Sequence, residues 1–580
     1  MNPHPLPSAH AGVENAKFPY TEEDDFWGCT EKLEMYKPGG LHPIILGDRL
    51  GDNGRFRVVH KLGHGGFGTV WLCQDTLSPT PKWRAVKVMA AKASKPYCEE
   101  LRAMEIFRDI NSSSAETDSH ILTPLEHFWI DGPNGRHLAL VFELSAITIN
   151  NLTPRYARLH GLIKDLCFQM AKSLELIHSR GLCHGDFRPS NILLRLLPGT
   201  DSLPEDSLLK HLDKPDTVRL VSRKDKKKPV TRTSAPSVPE YIVASTEIGY
   251  QSGLCAASIA VTDFGVSYST HNPPAEGCTG ITLPYASPEE RFRQRALLGP
   301  ASDIWALGCC IMKLVLGFTP FIDEDEGQGS DADLLVAKME ELMGPMPEPF
   351  RTKWKEEHRK KVKTRCFAAE VAKAEEEDEG TQLQAGWELE NITEIPSPYP
   401  KAMLEQMKRE EEAKRAERIK RGETLMSPGE ESFRRNLRRP IYISVTKDEA
   451  DDMMRQYELG KSRVRAQEQG LGDMVPLPFI QNPKLEYDEP SEEDDYSFEM
   501  QMPSQEADKL FDLLMSIFKW QPKDRATIQQ VLEHPWFEGR NEHAAKVPPP
   551  AAADESEPSG LMKSFVSHRT IARLWSGKFS

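Results

Sequence analysis

The most constraining feature of the chain is the run His184-Gly185-Asp186-Phe187-Arg188-Pro189-Ser190-Asn191, followed at once by the apolar stretch Ile192-Leu193-Leu194. It places a carboxylate, a cation and an amide in one loop ahead of a strand, which supplies a proton acceptor, an anion contact and a hard oxygen ligand together. Other pieces stand in order on either side. Upstream, Gly63-His64-Gly65-Gly66-Phe67-Gly68-Thr69-Val70 lies between two strand-like stretches, where missing side chains let backbone N–H groups approach phosphate. Alone, that pattern also fits an ordinary tight turn. Arg84-Ala85-Val86-Lys87 follows, with a strand lysine placed to neutralise phosphate charge. Downstream, Ile259-Ala260-Val261-Thr262 runs into Asp263-Phe264-Gly265, whose carboxylate suits magnesium. Thr282-Leu283-Pro284-Tyr285-Ala286-Ser287-Pro288-Glu289, then Asp303-Ile304-Trp305-Ala306-Leu307-Gly308, then Asp524-Arg525 complete the series, and Arg525 offers Glu289 a buried ion-pair partner. Each piece is weak by itself; their order and spacing point to phosphoryl transfer.

Lys87 needs a carboxylate to hold it. Glu100 heads a predicted helix whose apolar face is Leu101, Ala103, Met104 and Phe107, which makes it the chosen partner. Glu99 and Glu105 are neighbours that could serve instead, although Glu105 would put Arg108 and Asp109 on the buried stripe. From Leu162 onward Ile163, Leu166, Met170, Leu174 and Ile177 recur at helical spacing and Gly181 is a natural stop. The expectation is therefore an α+β chain: a flexible leader over 1–34, a β-rich lobe over 35–144, a helical lobe over 145–537, and a linker with a basic amphipathic tail over 538–580. Two insertions, about 198–258 and 351–505, are rich in polar and charged residues and are expected to have low order. Within the second, Lys401 to Arg421 alternates charge and reads as a solvated helix without chemistry.

Composition narrows the setting. With 39% hydrophobic and 28% charged residues the chain can bury a large core, and its net charge of -15 argues against a general nucleic-acid binder. That charge suits basic peptide partners, although plain solubility is the more common reason for it. Ten cysteines without a Cys-x-x-Cys pair imply neither a zinc site nor a disulfide framework, so a reducing cytoplasm or nucleus is expected. No basic flank and apolar run marks a secretory signal. The stretch Ile304 to Ile322 is interrupted by Lys313 and ends at Pro320, which fits a core helix better than a membrane span. Arg223-Lys224-Asp225-Lys226-Lys227-Lys228 can serve as a nuclear import signal, and such runs are more often simply solvated.

The motifs together resemble those of eukaryotic protein kinases, and the chain is similar to the SR-protein kinase family in a divergent fungal form. Tyr36-Lys37-Pro38-Gly39-Gly40-Leu41-His42-Pro43 resembles that family's Tyr-x-x-Gly-Gly-Tyr-His-Pro leader. The first insertion stands where the family carries its spacer, and Val141-Phe142-Glu143-Leu144 resembles its hinge strand with Phe142 as gatekeeper. The resemblance covers Met35 to Phe537 without the insertions, and its general kinase motifs are more specific than the subfamily features. It implies a bilobal protein-kinase fold, β-rich N-lobe and helical C-lobe, with ATP and Mg2+ as cofactors and serine or threonine of proteins, Arg/Ser-rich ones among them, as acceptors. It further implies that Asp186 accepts or orients the substrate hydroxyl proton, Arg188 meets the transferring phosphate, Asn191 and Asp263 bind magnesium, and Lys87 with Glu100 steadies the phosphates. Leu62, Gly63, Gly65, Gly66, Gly68, Val70, Ala85, Phe142, Glu143, Leu144 and Leu193 would surround the nucleotide. Thr282, ahead of Glu289, stands where serine/threonine kinases place a threonine beside the catalytic aspartate. Asp323, Glu324, Asp325, Glu326, Asp331 and Asp333 fall near the family's acidic docking groove, and a solvated acidic loop reads the same way. A monomer without direct nucleic-acid or membrane contact is expected.

The chain departs from the pattern at three places. Gly185 replaces the usual arginine of His-Arg-Asp, so an activation-loop phosphate would find no partner there and constitutive activity is expected. Arg188 replaces the catalytic-loop lysine, and Ser-Pro-Glu replaces Ala-Pro-Glu. Two further readings stand beside the kinase: a pseudokinase scaffold, suggested by the altered loop and long insertions, and a small-molecule phosphotransferase of the aminoglycoside or choline type, which shares His-Gly-Asp-Phe-x-Pro-x-Asn. The tail from Leu561 to Ser580 mixes apolar and basic residues and is expected to dock on a partner or on the kinase itself.

Overall fold

A computed structural model describes residues 18–22, 30–111, 119–152, 160–212, 214–249, 252–321, 332–356, 409, 428–438, 441–446, 485–487, 495–500 and 502–538. They form two compact units, one of Met1–Asn272, Lys313–Gly317 and Phe537–Ser580, the other of Pro273–Met312 and Phe318–Trp536.

In chain order the first unit holds β1 (Tyr20–Glu22), β2 (Arg49–Leu50), β3 (Phe56–Gly65), β4 (Gly68–Asp75), β5 (Trp83–Met89), α1 (Glu99–Ile106) and α2 (Arg108–Asn111). Next come β6 (Glu126–Gly132), β7 (Gly135–Glu143), α3 (His160–Ser179), β8 (Leu182–Cys183) and β9 (Ile192–Leu196). It ends with α4 (Glu205–Leu209), β10 (Thr217–Ser222), β11 (Tyr241–Val243), β12 (Cys255–Val261) and β13 (Tyr268–Ser269). Six strands make one sheet in the order β2-β3-β4-β5-β7-β6. Both faces of this sheet are covered, because its strands alternate between two apolar sets. Val86, Val88, Ala139 and Val141 join Phe56, Val58 and Trp71 on one side. Met89, Leu138, Leu140 and Phe142 pack with Leu122 and Ala260 on the other. Lys87 lies in phase with Ala85 and Met89, so the two-residue strand period aims it at the second set.

The helical repeat read from Leu162 is α3, whose Leu162, Leu166, Met170, Leu174 and Ile177 are buried. Gly181 follows at φ 72°, a left-handed stop that suits glycine. β9 pairs antiparallel with β12, matching Leu193 to Ala260 and Ile192 to Val261. This hairpin-like pair carries the Asp186 loop at one end and Asp263 just past the other strand.

The low order expected of 198–258 is corrected: α4, β10, β11 and most of β12 lie inside it. β10 pairs with β11 and also with β1 of the leader, so part of the stretch read as flexible is a strand. The reason is an apolar pattern spaced through the polar residues: Val218, Leu220, Val230, Ala235, Val238 and Ile242 pack with Tyr36, Leu41 and Ala90. Burying these residues releases enough water to order a polar segment. The leader is tied down by charge as well, because Glu31 accepts from the Tyr36 hydroxyl and pairs with the Lys61 ammonium. Lys61 is fully buried and also donates to the Val243 carbonyl at 3.2 Å.

The second unit contains α5 (Pro288–Arg291), α6 (Pro300–Leu316) as far as Met312, α7 (Ala332–Met343), α8 (Pro428–Leu437), β14 (Ile441–Thr446), β15 (Leu485–Tyr487), β16 (Asp495–Met500), α9 (Ser504–Ile517) and α10 (Ile528–Leu532). Part of the stretch 351–505 is therefore ordered too: α8 sets Arg434 on Asp508 of α9 at 2.7 Å, and β14, β16 and β15 form a small antiparallel sheet. Glu289 and Arg525 make the expected buried pair at 2.6 Å, both side chains fully buried, and the Ser302 hydroxyl donates to Glu289 at 2.7 Å. Gly308 lies so near α9 that a Cβ would stand 2.8 Å from Ile517. Residues 401–421 other than Arg409, the acidic cluster apart from Asp333, and the 561–580 tail lie outside the described residues. No described helix is long and apolar enough to cross a membrane.

Candidate active site

Strand register assembles one wall of the site. Val70 is opposite Lys87 on β4 and β5, and Ala85 is opposite Phe142 on β5 and β7, so all four share a face. Leu193 and Ala85 pack against the same apolar cluster as buried Phe142. Leu62 precedes the glycines on β3, and Glu143 with Leu144 leaves the end of β7. Arg195, nearly buried, reaches Glu143 at 3.4 Å and donates to the Ile121 carbonyl at 2.8 Å.

The glycines of the β3–β4 turn differ in what they do. At Gly68 an added Cβ would lie 2.5 Å from the Val88 carbonyl oxygen, so close strand approach requires glycine. Gly63, Gly65 and Gly66 have nothing within 4 Å of such a Cβ and a φ outside the left-handed region. Packing does not demand glycine there, and the open backbone is a cradle that side chains would fill.

Lys87 is the hub. Its ammonium lies 2.7 Å from Glu100 Oε1 and 2.7 Å from Asp263 Oδ1, so Glu100 is the partner that the structure selects over Glu99 and Glu105. Glu99 and Glu105 instead pair along the helix surface with Arg102 and Arg108. Burial would lower the Lys87 pKa, and the two carboxylates outweigh it and hold the ammonium above its ordinary value. Burial would raise Asp263, and Lys87 overrides it to hold this carboxyl down at about 2. Glu100 is raised, chiefly by its own burial, with Lys87 opposing. Asp263 adopts φ 65°, and Phe264 after it is fully buried between Phe107 and His184, at ring distances of 5.7 and 5.0 Å.

The Asp186 loop is built on buried His184. Asp186 N–H donates to His184 Nδ1 at 3.2 Å, and Nε2 lies 3.1 Å from the Thr262 carbonyl, which joins the loop to the residue before Asp263. Gly185 has φ 78°, left-handed backbone that glycine adopts without strain. Arg188 Nε donates to both Asp186 oxygens at 3.0 Å, and its Nη1 donates to the Ser190 hydroxyl at 2.7 Å. Asn191 Nδ2 donates to the Asp186 backbone carbonyl at 2.9 Å and to its Oδ2 at 2.7 Å. Those bonds turn the amide so that Oδ1 remains as a hard oxygen.

One first-unit framework thus carries Lys87, Glu100, Asp186, Arg188, Asn191 and Asp263. Thr282 belongs to the second unit, exposed, where its carbonyl accepts the Tyr285 N–H at 3.0 Å and opens a short 3-10 turn. Three features escaped the sequence reading: the Arg188 clamp on Asp186, the buried Glu31–Lys61 pair, and Glu290, whose carboxyl holds Thr279. Lys61 had one legible signal, a cation within an apolar strand. A cavity of about 630 Å³ lined by His42, Trp129, Asp131, Arg232 and Val238 contains none of the expected site residues.

With this geometry in place, the comparisons are specific. The protein kinase domain family matches residues 56–230 and 248–419, more than half of the chain, and the chain belongs to that family. Within it, similar proteins include SR-protein kinases. Serine/threonine-protein kinase SRPK of Physarum polycephalum is 27% identical over 336 residues, spanning 56% of this chain and 74% of that protein. Serine/threonine-protein kinase SKY1 of Saccharomyces cerevisiae is 32% identical over 177 residues, 29% of this chain and 23% of that one. SRSF protein kinase 3 of Homo sapiens is 32% identical over 173 residues, 28% of this chain and 29% of that one.

Proposed function

We infer that the chain is an ATP-dependent serine/threonine protein kinase acting on basic, Arg/Ser-rich segments of proteins. The observation that carries the reading is the convergence of Glu100 and Asp263 on one ammonium, Lys87, at 2.7 Å each. That pairing orders helix and strand around a cation able to meet phosphate oxygens. The residues fit the cofactors: three glycines leave an open backbone cradle, and Asp263 and Asn191 offer hard oxygens of the kind magnesium takes. ATP with Mg2+ supplies the transferable phosphoryl group and neutralises its charge. Val70, Ala85 and Leu193 would enclose the base, with Phe142 behind them and the backbone at Glu143 and Leu144 reading its edge.

Asp186 orients the acceptor hydroxyl and takes its proton, and it is well placed to do so because Asn191 and Arg188 fix its carboxylate in one orientation. Arg188 has a further face of its guanidinium to offer phosphate. Thr282 favours serine and threonine over tyrosine as acceptors. Gly185, in left-handed backbone with no side chain, supports activity without a phosphorylated loop. The names of the SR-protein kinase relatives support Arg/Ser-rich acceptors. An exposed lysine-rich turn, Lys224 to Lys228, supports work in the nucleus as well as the cytoplasm, and the chain is proposed to act as a monomer.

Labelled phosphate transfer to an Arg-Ser peptide, to a neutral control peptide and to small amines tests this reading with unmodified recombinant protein. Transfer to the basic peptide that disappears in Asp186→Ala is expected. Labelling of amines alone would favour the small-molecule phosphotransferase, and no transfer at all would favour a scaffold.

A further inference from the structure

The segment between Asp263-Phe264-Gly265 and Ser287-Pro288-Glu289 is pinned to the residues after Glu289 by three links. Arg295 Nε donates to the carbonyls of Pro273 and Pro274 at 3.2 Å, and its Nη2 donates to Pro273 at 3.0 Å. Gly277, at φ 73°, lies so near Arg293 that a Cβ would stand 2.6 Å from its carbonyl oxygen. The third link is Glu290, 6% exposed on α5. Its Oε2 accepts the Thr279 backbone N–H at 3.0 Å, and its Oε1 lies 3.1 Å from the Thr279 hydroxyl. Ile281 N–H donates to that same hydroxyl oxygen at 3.4 Å, closing a tight turn through Gly280 at φ 90°. Thr282 and Leu283, which is 43% exposed, come directly after this turn. Ser287 Oγ meanwhile accepts the Glu290 N–H at 3.4 Å, so residues 279–290 form a closed loop, sealed at both ends by one glutamate.

We propose that Glu290 is a positioning residue for the protein acceptor, setting through Thr279 the backbone on which Thr282 and Leu283 meet the substrate peptide. The proposal rests on the reading of the chain as a protein kinase and of Thr282 as part of its acceptor seat. The link tolerates either protonation state. A carboxylate accepts both Thr279 donors, whereas a carboxylic acid accepts the N–H and donates its own proton to the hydroxyl oxygen. This matters because burial raises the Glu290 carboxyl to about 7, with Glu289 and Asp303 as acidic neighbours and Thr279 opposing. A neutral glutamine can make the same two bonds, one accepted and one donated; alanine can make neither.

Steady-state kinetics on the full chain, varying an Arg-Ser peptide and ATP separately, decides the matter for wild type, Glu290→Gln, Glu290→Ala and Thr279→Val. Glu290→Gln is expected within about twofold of wild type, and Glu290→Ala and Thr279→Val are expected to raise the peptide KM about tenfold with the ATP KM unchanged. An unchanged peptide KM in Glu290→Ala overturns the proposal, as does equal damage in Glu290→Gln and Glu290→Ala, or a parallel rise in both KM values. Should Glu290→Ala fail to fold, Thr279→Val carries the result by the same criteria. A wild type that phosphorylates no protein sinks the kinase reading and this role with it; an active wild type beside an indifferent Glu290→Ala sinks only this role.

Discussion

Two glycines of one turn separate structural from chemical need. Gly68→Ala would push a methyl group against the Val88 carbonyl, and we expect a loss of about 1–3 kcal/mol in urea unfolding. Gly66→Ala meets nothing, so stability should change by less than about 0.5 kcal/mol while the KM for ATP rises. Motif reading treats these residues alike, because only the neighbouring strand distinguishes them. At Asp186 the expectation is kinetic: Asp186→Ala should keep its fold and ATP binding and lose roughly 10²–10⁴ in kcat, the usual contribution of a positioned proton acceptor. Glu100 was legible as the Lys87 partner because helical phase places it on the apolar face with Ala103 and Phe107. The clamp of Arg188 on Asp186 was not, since a two-residue spacing in a loop has no fixed geometry until the backbone is known.

Among the elements, the leader and first insertion pair with each other in a three-stranded sheet of their own, in the order β1-β10-β11. Leu220 on β10 is fully buried, and Leu220→Ala should cost about 2–5 kcal/mol, a result impossible for a residue in a solvated insertion. Glu31→Ala should be comparably severe, about 3–5 kcal/mol, because it leaves the Lys61 ammonium buried without its counter-charge. Chemical denaturation read by tryptophan fluorescence measures both, with Trp71 lying 5.5 Å from the Lys61 ammonium as a local reporter. The sequence suggested low order here because the stretch is rich in lysine, serine and proline. What order needs is only that the scattered apolar residues reach one surface, and Val218, Leu220, Val230 and Ile242 share one cluster, with Val218 opposite Ile242 on β10 and β11 and the Val230 N–H donating to the Leu220 carbonyl at 2.8 Å.

Across the whole molecule, stability should carry the signature of one buried acid. The folded value of Glu290, about 7, lies above its ordinary value of 4.5, so between these limits the folded chain keeps a proton that the unfolded chain has released. Stability from this group is therefore full below about pH 4.5 and is lost as pH rises to about 7. Denaturation midpoints at pH 5 and pH 8 should show a larger fall in wild type than in Glu290→Gln, and equal falls would refute the assignment. The class of the protein was legible without any structure, because its chemistry is written in short segments whose residues act from within one loop or strand: Lys87, the Asp186 loop, Asp263, and the late Arg525. Strand and helix periods extended that reading to the faces of β5 and α3. Contacts between distant segments were decided by tertiary structure alone: Glu31 with Lys61, and β1 with β10. Such pairs depend on which surfaces lose water together when the chain closes, and no local pattern of residues encodes that.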